Sequence, residues 1–261
     1  MRVGNLCAYT LVCLFVSIAA PSFGATRTLP NLQASKGWTG YALLPPSWAI
    51  CNACKPSGPQ LKWSWQPGVG SPSMDGRSTR TVYGAGTVQW GDVFWNNHLV
   101  GDFSSQGLPD ANHTLTPQLH TFTYDVYFWV ANANVSQAIE FDVNQFTGGK
   151  SFIWGHECRL AGGHQWDIWD NVGRRWLPTG IACNPASGAW NHVVIKVQRT
   201  AANQLLFQSI TLNGRTALVN RTEAPTARPN WHGITIDYQL DGARAKQPYA
   251  VYLDKLNFTM Q

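Results

Sequence analysis

The sequence predicts an all-β protein, an antiparallel sandwich, on three observations. Short segments alternate apolar and polar residues with a period of two, turn residues divide them at short spacing, and no stretch of useful length carries a helical period. Many brief strands joined by tight turns stack as two antiparallel sheets.

The chain opens with a segment that does not belong to that sandwich. Residues 1–24 hold one basic residue, Arg2, an apolar run from Leu11 to Ala20, and the small residues Ser22 and Gly24 at positions suited to signal cleavage. The run is too short to span a bilayer. A secreted, extracellular or periplasmic protein is expected, with no membrane association once the signal is removed. Residues 25–261 then form a single domain, a size that one sandwich accommodates.

Residues 29–72 are rich in Pro, Gly and Ser and read as an irregular wrap with short edge strands. A turn at 73–78 leads into strands at 79–83 and 88–90, and residues 95–116, rich in Asn, Asp and Gly, read as loop. Strands follow at 122–130, 137–146, 151–160, 164–170, 190–199, 205–212, 233–240 and 249–260, with a hairpin turn at Asn213-Gly214.

Of the six cysteines, Cys51, Cys54, Cys158 and Cys183 lie beyond the signal, an even number in an oxidising compartment. Three connectivities are open. Cys51–Cys54, within one Pro-rich loop, and Cys158–Cys183, across a hairpin-sized excursion, are the favoured pairs. No second Cys-x-x-Cys or His pair completes a zinc site, so no metal is expected at these positions.

A net charge of +5 without any Lys/Arg run excludes nucleic acid as an expected partner. Thirteen Trp, eight Tyr and eleven Phe point elsewhere, because aromatic faces stack on the apolar faces of sugar rings as well as filling cores. The aromatic density at Trp63, Trp65, Trp90, Phe94, Trp95, Trp166 and Trp169 marks candidate cleft residues, with Trp154 beside them, and a polysaccharide or glycan is the expected partner of a monomer. Four Asn-x-Ser/Thr sequons, at Asn112, Asn134, Asn220 and Asn257, would be glycan acceptors in a eukaryotic secretory pathway.

The strand at 137–146 is the centre of the candidate site. Ile139, Phe141 and Val143 share one face; Glu140, Asp142 and Asn144 share the other. Carboxylates two residues apart on a strand lie about 6.5–7 Å apart at Cα, close enough to shift each other's proton affinity. Asn144 and Gln145 are candidate sugar-hydroxyl partners. Asp125, Tyr127 and Trp129 share one face of 122–130 and would flank Glu140 and Asp142 if the two strands were neighbours.

The order of strands, with Ala138-Ile139-Glu140-Phe141-Asp142 at its centre and Tyr252-Leu253-Asp254 in the last, resembles the concanavalin A-like lectins and glucanases. That resemblance implies a jelly-roll β-sandwich. In legume lectins the corresponding Glu and Asp hold manganese and calcium, with a His spaced like His156, but two further calcium ligands fall on Phe146 and Ser151. No cofactor is therefore expected, beyond a structural calcium held by backbone carbonyls. The strand also resembles the Glu-x-Asp strand of family-16 and family-7 glycanases, whose acid/base Glu falls here on Asn144 or Gln145. Family-12 glucanases offer a looser likeness through Gly163 to Trp169.

Two functions follow. As a binding protein, the chain would hold a polysaccharide in a Trp-rich concave cleft. As a retaining endo-glycanase, Glu140 would be nucleophile beside Asp142, with Asp241 as the second acid and Glu157 or Asp237 as alternatives. A polysaccharide lyase is a third form, with His156 or His164 as base and Tyr124, Tyr127 or Tyr238 as acid.

Overall fold

A computed structural model describes residues 26–45, 49–51, 61–84 and 89–261. Residues 1–24 and Cys54 lie outside that set, so the export signal and the Cys51–Cys54 pair do too.

The strands form two antiparallel sheets. The back sheet runs in the order β15 (Arg215–Glu223), β14 (Leu205–Leu212), β13 (Ala189–Arg199), β7 (Thr121–Val130), β18 (Tyr249–Met260), β5 (Ser78–Tyr83) and β4 (Trp63–Val69), and β1 (Arg27–Leu29) pairs the end of β18. The front sheet runs β12 (Arg175–Ala182), β11 (Gln165–Asp170), β10 (His156–Arg159), β8 (Ser136–Thr147), β17 (Gly233–Gly242), β6 (Asp92–Val100), β2 (Trp38–Leu44) and β3 (Ala49–Cys51). Alongside β8 lies β9 (Lys150–Trp154), which also pairs the short β16 (Thr226–Ala227).

The core sits between the sheets. Tyr124 and Phe128 of β7 each approach Phe141 of β8 with ring centroids 5.8 Å apart, and Phe122 meets Trp154 at 5.5 Å. Ile139, Phe141 and Val143 are fully buried, the inward face that the period of two predicts.

The structure departs from the expected strands in two places that shape the front face. The expected strand at 151–160 is broken at Gly155 into β9 and β10. A Cβ there would lie 2.9 Å from Cβ of Trp169 and 3.2 Å from the Trp176 ring, so only glycine lets those indoles close over the sheet. Second, residues 95–100 of the expected loop at 95–116 are strand, since β6 continues to Val100, and residues 101–115 are loop as expected. Its alternation is disguised by Asn97, a polar residue on the inward face. Asn97 is fully buried because its amide donates to the Lys36 carbonyl at 3.2 Å and its oxygen accepts from the Ser105 hydroxyl at 2.8 Å.

The expected Cys158–Cys183 disulfide is present, with a Cα separation of 5.6 Å, and joins β10 to the end of β12. Both halves are buried in the core.

Candidate functional site

Register brings acids from five strands onto the outer face of the front sheet. Across one row Gln239 of β17 lies opposite Glu140, Glu140 opposite Glu157 of β10, and Glu157 opposite Asp167 of β11. One step along, Asp237 lies opposite Asp142; on the other side, Asp241 lies opposite Asp92 of β6. Directly opposed residues have Cβ atoms about 4.5–5.5 Å apart, so these side chains form a contiguous acidic floor.

Amides partition that floor. The Gln239 side chain donates to Glu140 at 2.6 Å and to Asp241 at 2.9 Å. Asp237 accepts from the side chains of Asn96 and Asn144, and Asp142 accepts from the His156 backbone amide at 3.0 Å. Gln137 donates to Glu157 at 3.3 Å, and Arg159 pairs with Asp167 at 2.6 Å.

Burial of like charges raises their proton affinity. Burial, then the charges of Asp241, Asp142, Glu157 and Asp92, push Glu140 well above the usual carboxylate range. Burial, then Asp237, pushes Asp142 up against the pull of the His156 amide, and burial with Asp92 does the same to Asp241. Glu157 is pushed up to about 8 by burial and by Asp241 and Asp167, with Arg159 opposing. Asp92 and Asp237 are each pushed up to about 7 by burial, opposed by hydrogen bonds from Asp241 and from the two asparagines respectively.

Aromatic residues wall the floor into a groove of about 1000 Å³. On one side Phe94 stacks with Tyr41 at 4.9 Å, beside Leu43 and Trp90. On the other, Trp169 and Trp176 meet edge to face at 5.2 Å beside Pro178, Arg174 and Arg175. Four strand spacings separate β6 from β11, about 19 Å.

The structure thus places Glu140, Asp142, Asp241, Asn144 and Trp169 in one groove. It removes other candidates from that groove. Asp125, Tyr127 and Trp129 lie on β7, which pairs β13 and β18 in the back sheet, so they face away from Glu140. There Asp125 accepts from His192 at 2.8 Å, and Tyr127 stacks on the His192 ring at 4.1 Å. Gln145 turns inward: its amide donates to the carbonyls of Thr116 and Leu119, and its oxygen accepts from Arg199 at 2.9 Å. Trp154 and Trp166 are fully buried core residues, because each shares the inward face of its strand.

Of the bases and acids named for a lyase, His164 is exposed just ahead of β11, and the others fail to meet. His156 packs in the core 5.1 Å from Phe207, and burial lowers it to about 4 despite its bond to the Trp154 carbonyl. Tyr124 and Tyr238 are fully buried, and Tyr127 is on the back sheet. Sequence reasoning missed Asp92 and Asn96, while Phe94 and Trp90, named among the cleft aromatics, do line the groove. The signal for Asp92 and Asn96 was the alternation of β6 around Val93 and Trp95. Among the described residues, no cluster of His, Cys, Asp or Glu has the geometry to hold a metal ion.

No protein-family model matches the chain, and no curated protein matches it. Among solved structures, the cellulose-induced protein Cip1 aligns over 85% of this chain and 90% of its own at 13% identity, with a TM-score of 0.48. Lectin II from Ulex europaeus covers 92% of this chain and 100% of its own at 11% identity and a TM-score of 0.44. Peanut lectin covers 86% and 97% at 12% identity and a TM-score of 0.43. The two sheets themselves are the antiparallel sandwich that the order of strands predicts.

Proposed function

We propose that this protein binds a neutral polysaccharide chain in the front-sheet groove, as a secreted protein acting outside the cytoplasm. The observation that carries the reading is a carboxyl-lined floor set between two aromatic walls. Carboxyls accept hydrogen bonds from sugar hydroxyls, and indole faces stack on the apolar faces of pyranose rings. A groove of this width takes a chain laid across it.

Charge supports a neutral ligand. The groove is lined by Asp92, Glu140, Asp142, Glu157, Asp167, Asp237 and Asp241, against Arg159, Arg174 and Arg175. Arg159 is engaged by Asp167, and Arg175 by Asp170 at 3.5 Å. A uronate polymer would bring further negative charge to that floor.

Affinity electrophoresis in β-glucan, xylan, mannan and uronate polymers tests the reading. Retardation by a neutral polymer is expected, and Trp169→Ala should weaken it about tenfold, the equivalent of about 1.4 kcal/mol of stacking. Equal retardation of the variant and the wild type, or preference for a uronate polymer, would overturn it.

One observation favours a second reading, retaining glycoside hydrolysis. Glu157 stands opposite Glu140 across the β8–β10 ladder, a facing carboxyl pair that supplies a second acid in place of Asn144 and Gln145. New reducing ends from the wild type that disappear in Glu140→Gln would establish hydrolysis. Retardation without product from both proteins would leave binding alone.

A further inference from the structure

The groove does not end at Asn144. On the same outward face, the next residue of β8 is Phe146; Thr235 precedes Asp237 on β17, and His98 follows Asn96 on β6. These three, with Phe103, Trp231 and His232, border a second cavity of about 800 Å³. A hydrogen bond of 3.1 Å from Asn144 to Thr235 joins its floor to that of the groove. We propose that this cavity is a second sugar-binding stretch, in which the Trp231 indole stacks on a pyranose ring of the chain held in the groove. The inference rests on the glycan reading above and extends it.

Exposure of aromatic surface is the first support. Among the described residues the large exposed aromatics are Trp90, Phe103 and Trp231. Trp90 borders the groove, while Phe103 and Trp231 border this cavity. Trp231 is 48% exposed although its ring packs against Phe146 at 5.4 Å and His98 at 6.4 Å. It is thus supported from within the protein while a large part of its surface faces solvent, the arrangement of a stacking platform.

The second support is a built wall. His232 bonds Asp110 at 2.8 Å and stacks on His113 at 3.7 Å. Asp110 in turn accepts from the backbone amides of Thr114, Leu115 and Thr116. At Gly101, where φ is +114°, a Cβ would come within 2.8 Å of the His232 carbonyl oxygen, so the wall closes tightly on the start of β17. A cavity held this way meets its ligand with little reordering.

The third support lies at the junction. Asn144 spends its amide hydrogens on Thr235 and Asp237, while its side-chain oxygen is buried without a hydrogen-bond partner. A hydroxyl of a chain passing from groove to cavity would satisfy it. The cavity carries histidine, threonine and aromatic groups with a single carboxylate, Asp102, in place of the acidic floor, which suits stacking of a neutral ring over charge recognition.

The test is a length series. Cello-, xylo- and manno-oligosaccharides from disaccharide to hexasaccharide are titrated calorimetrically into wild type, Trp231→Ala, Trp231→Phe and Trp169→Ala, each confirmed folded by its melting curve. Trp231→Ala should weaken hexasaccharide binding at least fivefold and leave the disaccharide unchanged; Trp231→Phe should restore most of the loss. Trp169→Ala should weaken both lengths. Hexasaccharide binding that survives Trp231→Ala but is lost in Trp169→Ala would overturn the second stretch and leave the glycan reading intact. No binding of any oligosaccharide or polymer by the wild type would overturn the glycan reading itself.

Discussion

The melting temperature is expected to fall by at least about 20 °C between pH 5 and pH 8, the reverse of what salt-bridged surface carboxylates would produce. Asp92 and Asp237 take up protons near pH 7 in the folded protein, and Glu157 near pH 8. In the unfolded chain the same groups titrate near pH 4. The folded state therefore binds more protons across this window, so its stabilisation is complete below about pH 4 and is lost as pH rises through 7 and 8. Each such carboxyl changes stability by about 1.4 kcal/mol per pH unit while it is protonated only in the folded state. Burial and the neighbouring carboxylates leave Glu140, Asp142 and Asp241 raised in the same direction.

Neutralising one member should relieve the rest. Glu140→Gln keeps the shape of the side chain and removes the group that faces Glu157 across the ladder and accepts from Gln239. Its melting temperature at pH 8 should exceed that of the wild type by about 2–4 °C, with little difference at pH 5. Differential scanning calorimetry across the pH range checks both statements. A flat wild-type profile would mean that the floor is not a cluster of buried acids.

Removing the Cys158–Cys183 bridge is expected to cost about 3.5 kcal/mol, from the loop closure of a 25-residue separation. In a domain of this size that corresponds to a fall of about 7–14 °C in melting temperature. The bridge ties β10 to the end of β12, and the hairpin it spans carries Trp169 and Trp176. The double variant Cys158→Ala, Cys183→Ala should therefore lose polysaccharide retardation along with stability, since one wall of the groove is no longer anchored. Unchanged melting would show that the β10–β11–β12 ladder holds the wall unaided.

The alternation of Ile139, Phe141 and Val143 with Glu140, Asp142 and Asn144 was legible because a strand's two faces are written in neighbouring residues. So were the long strands at 122–130, 205–212 and 249–260 and the Cys158–Cys183 pair. Asp92 and Asn96 were not, because Asn97 occupies an inward position where an apolar residue would have marked the strand. Its burial depends on Lys36 and Ser105, partners distant in the chain or supplied by a loop.

The sequence by itself determined an all-β chain with one acidic strand face and an aromatic excess, since period, turn chemistry and composition are local properties. Only the tertiary structure decided which residues share a groove. Pairing β8 with β17 and β10 set Asp237 and Glu157 beside Asp142 and Glu140, and pairing β7 with β13 and β18 carried Tyr127 and Trp129 to the opposite side. Strand order is fixed by how two sheets bury their apolar faces together, a sum over contacts distant in the chain that no single segment records.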